Sequence, residues 1–334
     1  MRHESVFSIF LLDREVVMAA LYLTEEDVDR LIDIKLAIEV CQEAFRQLSD
    51  KQAENIPRSR THAPGVILHS MSASAGYLGL LGWKNYTTTR QGARFHLGLY
   101  DESGALVALI EANRLGQLRT GAATGIATAA MALPEVTELG LFGTGWQAQS
   151  QLAAVAAVRP IQIAYIYSRD AKNRAEFAEL MSRQLGIEVR PVDRPQEAAE
   201  DLPIVITATA SQKPVFDGHC LAEGTLVCAV GSNWLQKAEI DSDVVRRADN
   251  IVCDSVKACQ GEAGDFVDAL EKGIFDWTRA VDLCDVVTGR ATGRNTRDSI
   301  CLFKSVGLAV EDVALGGKVL SLARERHVGR ELPF

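Results

Sequence analysis

A glycine-rich loop at residues 143–148 has the spacing of a loop that binds a dinucleotide. It has the sequence Gly-Thr-Gly-Trp-Gln-Ala, a GxGxxA pattern between a predicted strand and a predicted helix. In such a loop Gly143 makes the tight turn, Gly145 lets a pyrophosphate approach the backbone, and Ala148 lets the helix pack closely on the sheet. The positive end of the helix then faces the phosphates. The pattern predicts dinucleotide binding, and a purely structural glycine turn is the alternative.

The residues after the next predicted strand bear on the choice between NAD and NADP. An NAD site usually has an Asp or Glu there to bind the ribose 2′-hydroxyl, whereas this chain has Ser168 and Arg169. Ser and Arg can bind a 2′-phosphate, which a carboxylate would repel. We therefore expect NADP(H) to be favoured, with NAD(H) possible if the strand ends two residues later, at Asp170. A solvated arginine on a loop is the alternative for Arg169.

A second group of candidate residues lies before residue 133. Arg119 stands just inside a predicted Ala/Gly-rich helix, and a bidentate arginine suits a substrate carboxylate. Lys84 interrupts a stretch of Gly and aromatic residues that would otherwise be typical of a buried segment, which suggests a placed ammonium. The other candidates are Arg58, Arg60 and His69. From the residues alone, each of these could equally be a surface charge.

Six short apolar runs alternate with helical segments after residue 133. They lie at 137–142, 163–167, 187–192, 204–209, 225–230 and 251–253. This alternation is typical of an α/β fold with a doubly wound parallel sheet of the Rossmann type. The glycine-rich loop follows the first of these strands, where such a sheet binds its nucleotide.

The segments before residue 133 predict an α+β unit. Thr24 and Asp27 resemble a capping box at the start of a helical region. Apolar residues then recur at helical spacing over 34–48, and strands follow, including a hairpin at 95–110. A sheet this small cannot cover both of its faces, which favours pairing with a second copy.

Two further helices are predicted. In the one at 113–132, Gly121 and Gly125 share a face, and because glycine is costly inside a helix we expect another backbone to come close there. The one at 308–326 has apolar positions suited to packing against the first unit. We expect a disordered extension at 1–20, a discontinuous substrate-binding and dimerisation domain at 21–132 plus 305–334, and an NAD(P)-binding Rossmann domain at 133–304.

Composition narrows the class of protein. The 334 residues carry a net charge of −9, so a nucleic-acid partner is not expected. No apolar run approaches the roughly 20 residues of a membrane span. The apolar run at 6–12 is too short and too closely flanked by charges for a signal peptide, which predicts a cytoplasmic location, and Met18 could be the true start. The seven cysteines form no CxxC pair, and the six histidines have no metal-ligand spacing, so we expect reduced thiols and no metal site.

Several blocks, in this order along residues 21 to about 330, resemble the ornithine cyclodeaminase/mu-crystallin family. They are Arg119-Thr120-Gly121-Ala122-Ala123-Thr124, the loop at 143–148, Thr207-Ala208-Thr209-Ala210, Gly231-Ser232-Asn233, Glu239-Ile240-Asp241, Phe303-Lys304-Ser305-Val306-Gly307 and Glu311-Asp312. Each block alone is modest evidence for the resemblance, but together the blocks are highly specific. The resemblance implies an NAD(P)-binding Rossmann domain, a homodimer formed by the other domain, and amino-acid or imine substrates.

The resemblance also implies residue roles. Arg58 and Arg119 would clamp the substrate carboxylate, with Lys84 polarising the carbon–nitrogen centre and Thr120 positioning substrate or cofactor. The pyrophosphate would be held by Gly143, Thr144, Gly145, Gln147 and Ala148, and the adenosine ribose by Ser168 and Arg169. Thr207, Ala208 and Gly231 would line the nicotinamide side, and the segment from Ser305 to Gly307 would close over it.

Two positions depart from ornithine cyclodeaminases. Those enzymes have an acid/base Asp where this chain has Asn233, and an amide cannot exchange a proton at pH 7. They also have a Glu before the lysine segment, where this chain has Leu68-His69, and His69 could take a proton-transfer role near neutrality. We therefore expect a ketimine reductase or amino-acid dehydrogenase, with an ornithine cyclodeaminase as the alternative. A non-enzymatic protein that binds NADPH or another ligand is the alternative of a different class.

Overall fold

The computed structural model describes residues 19–333. The predicted disordered extension at 1–20 lies outside these residues except for its last two, and so does the possible start at Met18. Both stay predictions.

The described chain forms two β-sheets and ten α-helices. The strands are β1 (Leu21–Leu23), β2 (Ala53–Ala63), β3 (Val66–Ala75), β4 (Leu80–Thr89), β5 (Gly92–Asp101), β6 (Leu106–Glu111), β7 (Glu138–Phe142), β8 (Ile163–Tyr167), β9 (Glu188–Pro191), β10 (Ile204–Thr207), β11 (Leu226–Ala229), β12 (Asn250–Cys253), β13 (Ala280–Asp282), β14 (Cys301–Lys304) and β15 (Arg330–Glu331). The helices are α1 (Glu25–Leu31), α2 (Ile34–Ser49), α3 (Asn113–Met131), α4 (Trp146–Val158), α5 (Ala171–Leu185), α6 (Ser242–Arg247), α7 (Val256–Glu262), α8 (Val267–Glu271), α9 (Leu283–Val287) and α10 (Ala309–Arg326).

The first sheet has seven strands in the order β15-β1-β6-β5-β4-β3-β2. All neighbours are antiparallel except β1 and β6, which are parallel. The predicted hairpin is present as β5 and β6, but both are interior strands of this sheet. Its apolar residues Leu97, Leu99 and Ala108 are fully buried. The argument that the hairpin is too small to cover its own faces is therefore wrong.

The second sheet has eight parallel strands in the order β13-β12-β14-β11-β10-β7-β8-β9. The Rossmann-type fold class is confirmed, but the prediction of six strands is two short. β13 has only three residues, and β14 ends on Lys304, whose charge interrupts the apolar run. Such short segments carry too little local pattern to be recognised.

Local sequence signals explain how the helices begin. Thr24 caps α1, and the reciprocal capping box with Asp27 is confirmed. α3 has no side-chain cap of its own, but the Glu25 carboxylate accepts hydrogen bonds from the amides of Asn113 and Arg114 at 2.6 and 2.8 Å. These contacts fix the end of α3 that carries Arg119.

The expected close approach at α3 is confirmed. A Cβ atom on Gly121 would lie 2.5 Å from the carbonyl oxygen of Ser150 in α4. α3 thereby joins the first sheet to the helix that follows the glycine-rich loop.

α10 packs against α2, α3 and strands β2 to β5, which confirms that this helix returns to the first unit. The division into domains at 133 and 305 stays a prediction. No helix within 19–333 has the combination of length and apolar character that crossing a bilayer would need.

Candidate functional site

The glycine-rich loop joins β7 to α4 and leaves open space at its tip. Gly143 has φ +109°, and a Cβ atom there would lie 2.3 Å from the Ala208 carbonyl oxygen. Only glycine fits that combination of backbone angle and contact. A Cβ atom on Gly145, in contrast, would meet nothing within 4 Å, while Ala148 is fully buried under the sheet. The loop and the N-terminus of α4 fit a dinucleotide pyrophosphate.

A cavity of about 270 Å³, which we call the nucleotide cavity, lies beside this loop. Its lining includes the predicted residues Gly143, Thr144, Gly145, Ser168, Arg169 and Ala208. Ala208 lines this cavity and not the second one described below, and its place on the nicotinamide side stays a prediction. The Thr144 hydroxyl donates to Ser168 Oγ at 3.3 Å, and Arg169 is exposed at the rim.

Asp170 is the acid that could have served a ribose hydroxyl. Its carboxylate is the N-cap of α5 and accepts a hydrogen bond from the Asn173 amide at 2.8 Å. β8 ends at Tyr167, three residues before it. The strand therefore does not extend as far as the NAD alternative requires.

Glu239 holds together the loops after β10 and β11. Its carboxylate accepts hydrogen bonds from the Thr207 hydroxyl at 3.1 Å, the Thr209 amide and hydroxyl at 2.6 and 2.7 Å, and the Gly231 amide at 2.6 Å. Burial raises the pKa of Glu239, against the opposing effect of Lys304. Thr207 is fully buried, so it shapes these loops from within and lines neither cavity.

A second cavity, of about 260 Å³, lies between the first sheet and the loops of the second. Its lining includes all of the predicted substrate-binding and catalytic residues, namely Arg58, His69, Lys84, Arg119, Thr120 and Asn233. It also includes four of the predicted cofactor-binding residues, namely Gln147, Gly231, Ser305 and Gly307. Tyr86, Phe95 and Trp234 add aromatic walls. No Asp or Glu of the described residues lines it. We call this space the cationic cavity.

Lys84 and Arg119 are buried and share one counterion. Lys84 Nζ on β4 donates to Asp312 Oδ1 at 2.7 Å, and Arg119 Nε on α3 donates to the same oxygen at 3.1 Å. Arg119 Nη1 also pairs with Glu311 Oε2 at 3.2 Å. Burial, reinforced by the Arg119 charge, lowers the pKa of Lys84 to about 8. The pKa of Arg119 is raised, because Asp312 and Glu311 together outweigh the effect of its burial.

Arg58 and Arg60 project from one face of β2 and share Glu262 of α7. Arg58 Nη1 contacts Glu262 Oε2 and Nη2 donates to the Val306 carbonyl at 3.0 Å. Arg60 Nη2 lies 2.7 Å from the same carboxylate oxygen and donates to the Asn233 carbonyl at 2.7 Å. The first sheet is thereby fastened to the segment that carries Asn233.

His69 is buried in an aromatic environment. Its ring stacks on Tyr86 with 4.1 Å between centroids, and Nε2 lies 3.0 Å from the Thr88 hydroxyl. Burial and the charges of Arg60 and Arg58 lower the pKa of His69 to about 4. The imidazole is therefore neutral at pH 7, which differs from the expected titration near neutrality. Its part in proton transfer stays a prediction.

The segment at 305–307 is held by Asp254 at the end of β12. Asp254 Oδ2 accepts hydrogen bonds from the Ser305 hydroxyl and the Val306 amide at 2.8 Å, and from the Gly307 amide at 2.6 Å. Gly307 has φ +85°, and a Cβ atom there would lie 2.6 Å from Arg119 Nη1. A glycine at this turn therefore lets Arg119 approach the segment.

Sequence reasoning assigned no role to the buried carboxylates around these sites. They are Glu239, Asp254, Glu262, Asp265, Glu311 and Asp312. The one available signal was the pair Glu311-Asp312 inside the otherwise apolar stretch 308–315. A charge in such a stretch implies a buried partner.

The parallel sheet with its glycine-rich loop, facing a cavity of cations and aromatic rings, defines a dinucleotide-dependent enzyme for small anionic substrates. A family model described as "Ornithine cyclodeaminase/mu-crystallin family" matches residues 18–327, and the chain belongs to that family.

Similar proteins include enzymes that are named for reactions of imino and amino acids. Delta(1)-pyrroline-2-carboxylate reductase of Bacillus cereus is 32% identical over 234 residues, which cover 70% of this chain and 72% of that protein. The solved structure of the Thermococcus litoralis Delta(1)-pyrroline-2-carboxylate reductase, in complex with NADH and L-proline, has a TM-score of 0.89 and 32% identity over 93% of this chain and 100% of that one. An archaeal alanine dehydrogenase dimer with bound NAD has a TM-score of 0.89 and 29% identity over 95% and 100% of the two chains. The predictions of the family and of an NAD(P)-dependent enzyme acting on amino or imino acids are confirmed.

Proposed function

We propose that the chain is an NAD(P)H-dependent reductase of small cyclic or linear imino acids, which catalyses amino-acid dehydrogenation in the reverse direction. The observation that carries this proposal is the cationic cavity, which collects three basic side chains and no described acid. A nicotinamide bound there supplies or removes a hydride at the α-carbon of the substrate. The small volume and aromatic walls suit a compact substrate with little polar surface.

The charges around the cavity favour a substrate with one carboxylate. Four cations, Arg58, Arg60, Lys84 and Arg119, face the three carboxylates of Glu262, Glu311 and Asp312. Glu262 and Asp312 are each shared by two of these cations, so a substrate monocarboxylate would supply a further partner to cations that share one. Arg58 and Arg119 would bind that carboxylate, and Lys84 would donate a proton or hydrogen bond to the substrate nitrogen.

The cyclodeaminase alternative has less support. A diamino acid brings a side-chain ammonium, and the described lining of the cationic cavity offers no carboxylate to pair with it. Asn233 lines the cavity where the family's acid/base Asp is expected, and it cannot exchange a proton at pH 7.

NADP(H) remains the favoured cofactor in this proposal. Asp170 is engaged as a helix cap, and Ser168 and Arg169 line the adenosine end of the nucleotide cavity. Arg169→Ala should raise the Kd for NADPH about tenfold and leave that for NADH nearly unchanged. Arg183→Ala, which removes an exposed arginine from α5, is the matched control.

A homodimer formed through the first sheet is also proposed. The sheet face opposite the cationic cavity exposes Ile56, Leu68 and Leu81, each more than one-third accessible. Three apolar residues on one sheet face favour association with a second copy. The related alanine dehydrogenase is described as a dimer.

The function is tested with a panel of amino acids and cyclic imines, offered with NAD(H) and NADP(H), in which absorbance at 340 nm and free ammonia are followed. Stoichiometric oxidation of the cofactor by Δ1-pyrroline-2-carboxylate or another imino acid is the expected result. Ammonia release from ornithine without net cofactor change would replace the proposal with cyclodeamination. Cofactor binding without turnover of any compound would favour a binding protein.

A further inference from the structure

Asp312 lies where three elements of the fold converge. It belongs to the first turn of α10, and its Oδ1 atom accepts hydrogen bonds from Lys84 of β4 and Arg119 of α3. The Asp312 side chain is fully buried, and it does not line the cationic cavity. Its carboxylate therefore acts on the two cations from behind rather than on a ligand.

We propose that Asp312 is a positioning residue of the imino-acid site, whose Oδ1 atom holds the Lys84 ammonium and the Arg119 guanidinium together at the cationic cavity. The identity of the substrate in this inference rests on the proposed function. The contacts of Asp312 with Lys84 and Arg119 do not depend on it. Two buried cations repel each other, and a carboxylate between them offsets that repulsion. The Asp312 carboxylate does so because both cations donate to its Oδ1 atom.

The surroundings of Lys84 leave it donors for a ligand. An ammonium has three N–H bonds, and Asp312 is the one hydrogen-bond acceptor recorded for it among residues 19–333. Gly116 of α3 makes room for the ammonium, because a Cβ atom there would lie 2.7 Å from Nζ. The Phe95 ring centroid lies 5.4 Å from Nζ. Two N–H bonds therefore remain for a substrate in the cavity that Lys84 lines.

The neighbouring charges make Asp312 decisive for the protonation of Lys84. Burial and the cations Arg119 and Arg58 lower the pKa of Lys84, and Asp312 is the group that opposes them. Glu311, the adjacent acid on α10, pairs with Arg119 and makes no recorded contact with Lys84, and burial raises its own pKa to about 8. The Cys41 thiol of α2 faces the same acids, and its pKa is raised well above the usual value, mainly by burial. Without the Asp312 carboxylate, the pKa of Lys84 would fall further below its ordinary value.

The test compares Asp312→Asn with Glu311→Gln, which removes the adjacent acid but leaves the contact between Lys84 and Asp312. In Asp312→Asn, kcat/KM for the imino acid at pH 7 should fall on the order of 100-fold. The alkaline limb of its pH profile, expected near pH 8 in the wild type, should move down by at least about one unit. In Glu311→Gln that limb should stay in place, and the Kd for NADPH should be nearly unchanged in both variants. An unmoved limb in Asp312→Asn, with the wild-type enzyme active, would overturn the inference and leave the proposed function standing.

A second measurement does not require turnover. The chain has ten lysines, so ¹³C labelling at lysine Cε gives few resonances, and Lys84→Met identifies that of Lys84. Its titration midpoint should lie near pH 8 in the wild type and fall in Asp312→Asn. A wild-type midpoint below pH 7 would refute the role of Asp312 even if Asp312→Asn does not fold. If no imino acid is turned over, the proposed function fails while this titration still decides the inference.

Discussion

Replacing Glu239 with glutamine should destabilise the protein and weaken cofactor binding at the same time. The Glu239 carboxylate receives four hydrogen bonds, two on each oxygen, from the last residue of β10 and from the loops after β10 and β11. Each oxygen accepts from one backbone amide and one threonine hydroxyl. Glutamine turns one oxygen into an NH₂ group, which cannot accept. The hydroxyl on that side can rotate and accept instead, but the backbone amide of Thr209 or Gly231 is left without its partner.

The cost follows from the bond types. A hydrogen bond to a charged acceptor contributes about 1.5–3 kcal/mol, and a buried amide without a partner carries a further desolvation penalty. We expect a loss of about 3 kcal/mol in the free energy of unfolding, which lowers Tm by about 4 °C for a chain of this length. Because Thr209 lines the nucleotide cavity and Gly231 the cationic cavity, the Kd for NADPH should also rise.

Differential scanning fluorimetry and nicotinamide fluorescence titration measure the two effects. Glu179→Gln is the matched control, since that carboxylate is exposed and pairs with Arg183 one turn along α5. The control should change stability by less than about 0.5 kcal/mol. If Glu239→Gln behaves like Glu179→Gln in both assays, Glu239 does not organise these loops.

Three further predictions test other parts of the structure. Gly121→Ala should lower Tm, because its methyl group would lie 2.5 Å from the Ser150 carbonyl oxygen. Gly261→Ala in α7 is the control and should leave Tm unchanged or raise it, because nothing lies within 4 Å of that position. Equal effects of the two variants on Tm would refute the close approach. The folded-state pKa of His69 is lowered to about 4 from an ordinary 6.5, so protonation favours unfolding and stability is lost as pH falls from 6.5 to 4. Urea unfolding across that range should show less acid sensitivity in His69→Phe than in the wild type, and identical slopes would contradict the neutral buried imidazole. Leu68→Glu should dissociate the proposed dimer, whereas Glu54→Gln on the edge strand β2 should not. A mass of about 36 kDa for the wild-type protein by light scattering, the mass of one chain, would refute the dimer itself.

Features encoded by neighbouring residues were predictable from the sequence. The glycine-rich loop, the capping box at Thr24 and the glycine pair in α3 each depend on a few consecutive positions. Their structural counterparts lie where the patterns indicate. The cations of the cavity were also singled out, because a charge in an apolar segment requires an explanation.

The partners of those cations were not predictable, because they come from distant positions. Asp312 lies 228 residues from Lys84, and Glu262 lies 204 residues from Arg58. The strand that carries Lys304 was not predicted for the same reason. Its charge hides a central strand from a hydrophobicity pattern, whereas in the structure the buried ammonium pairs with Asp265 at 2.7 Å and donates to the Ser232 carbonyl at 2.7 Å. Without knowledge of such pairings, a buried lysine cannot be told from a surface one.

The position of β14 sets the order in which the molecule can be completed during synthesis. β14 lies between β11 and β12, and all of its residues are buried. Until residue 304 has been made, β11 and β12 each present an unpaired inner edge, which is a template for aggregation. A chain interrupted before Cys301 would therefore be prone to aggregate, even though both glycines of the nucleotide loop are already present. Premature termination or ribosome stalling shortly before Cys301 should therefore promote aggregation, although this segment is far along the chain from the glycine-rich loop at 143–148.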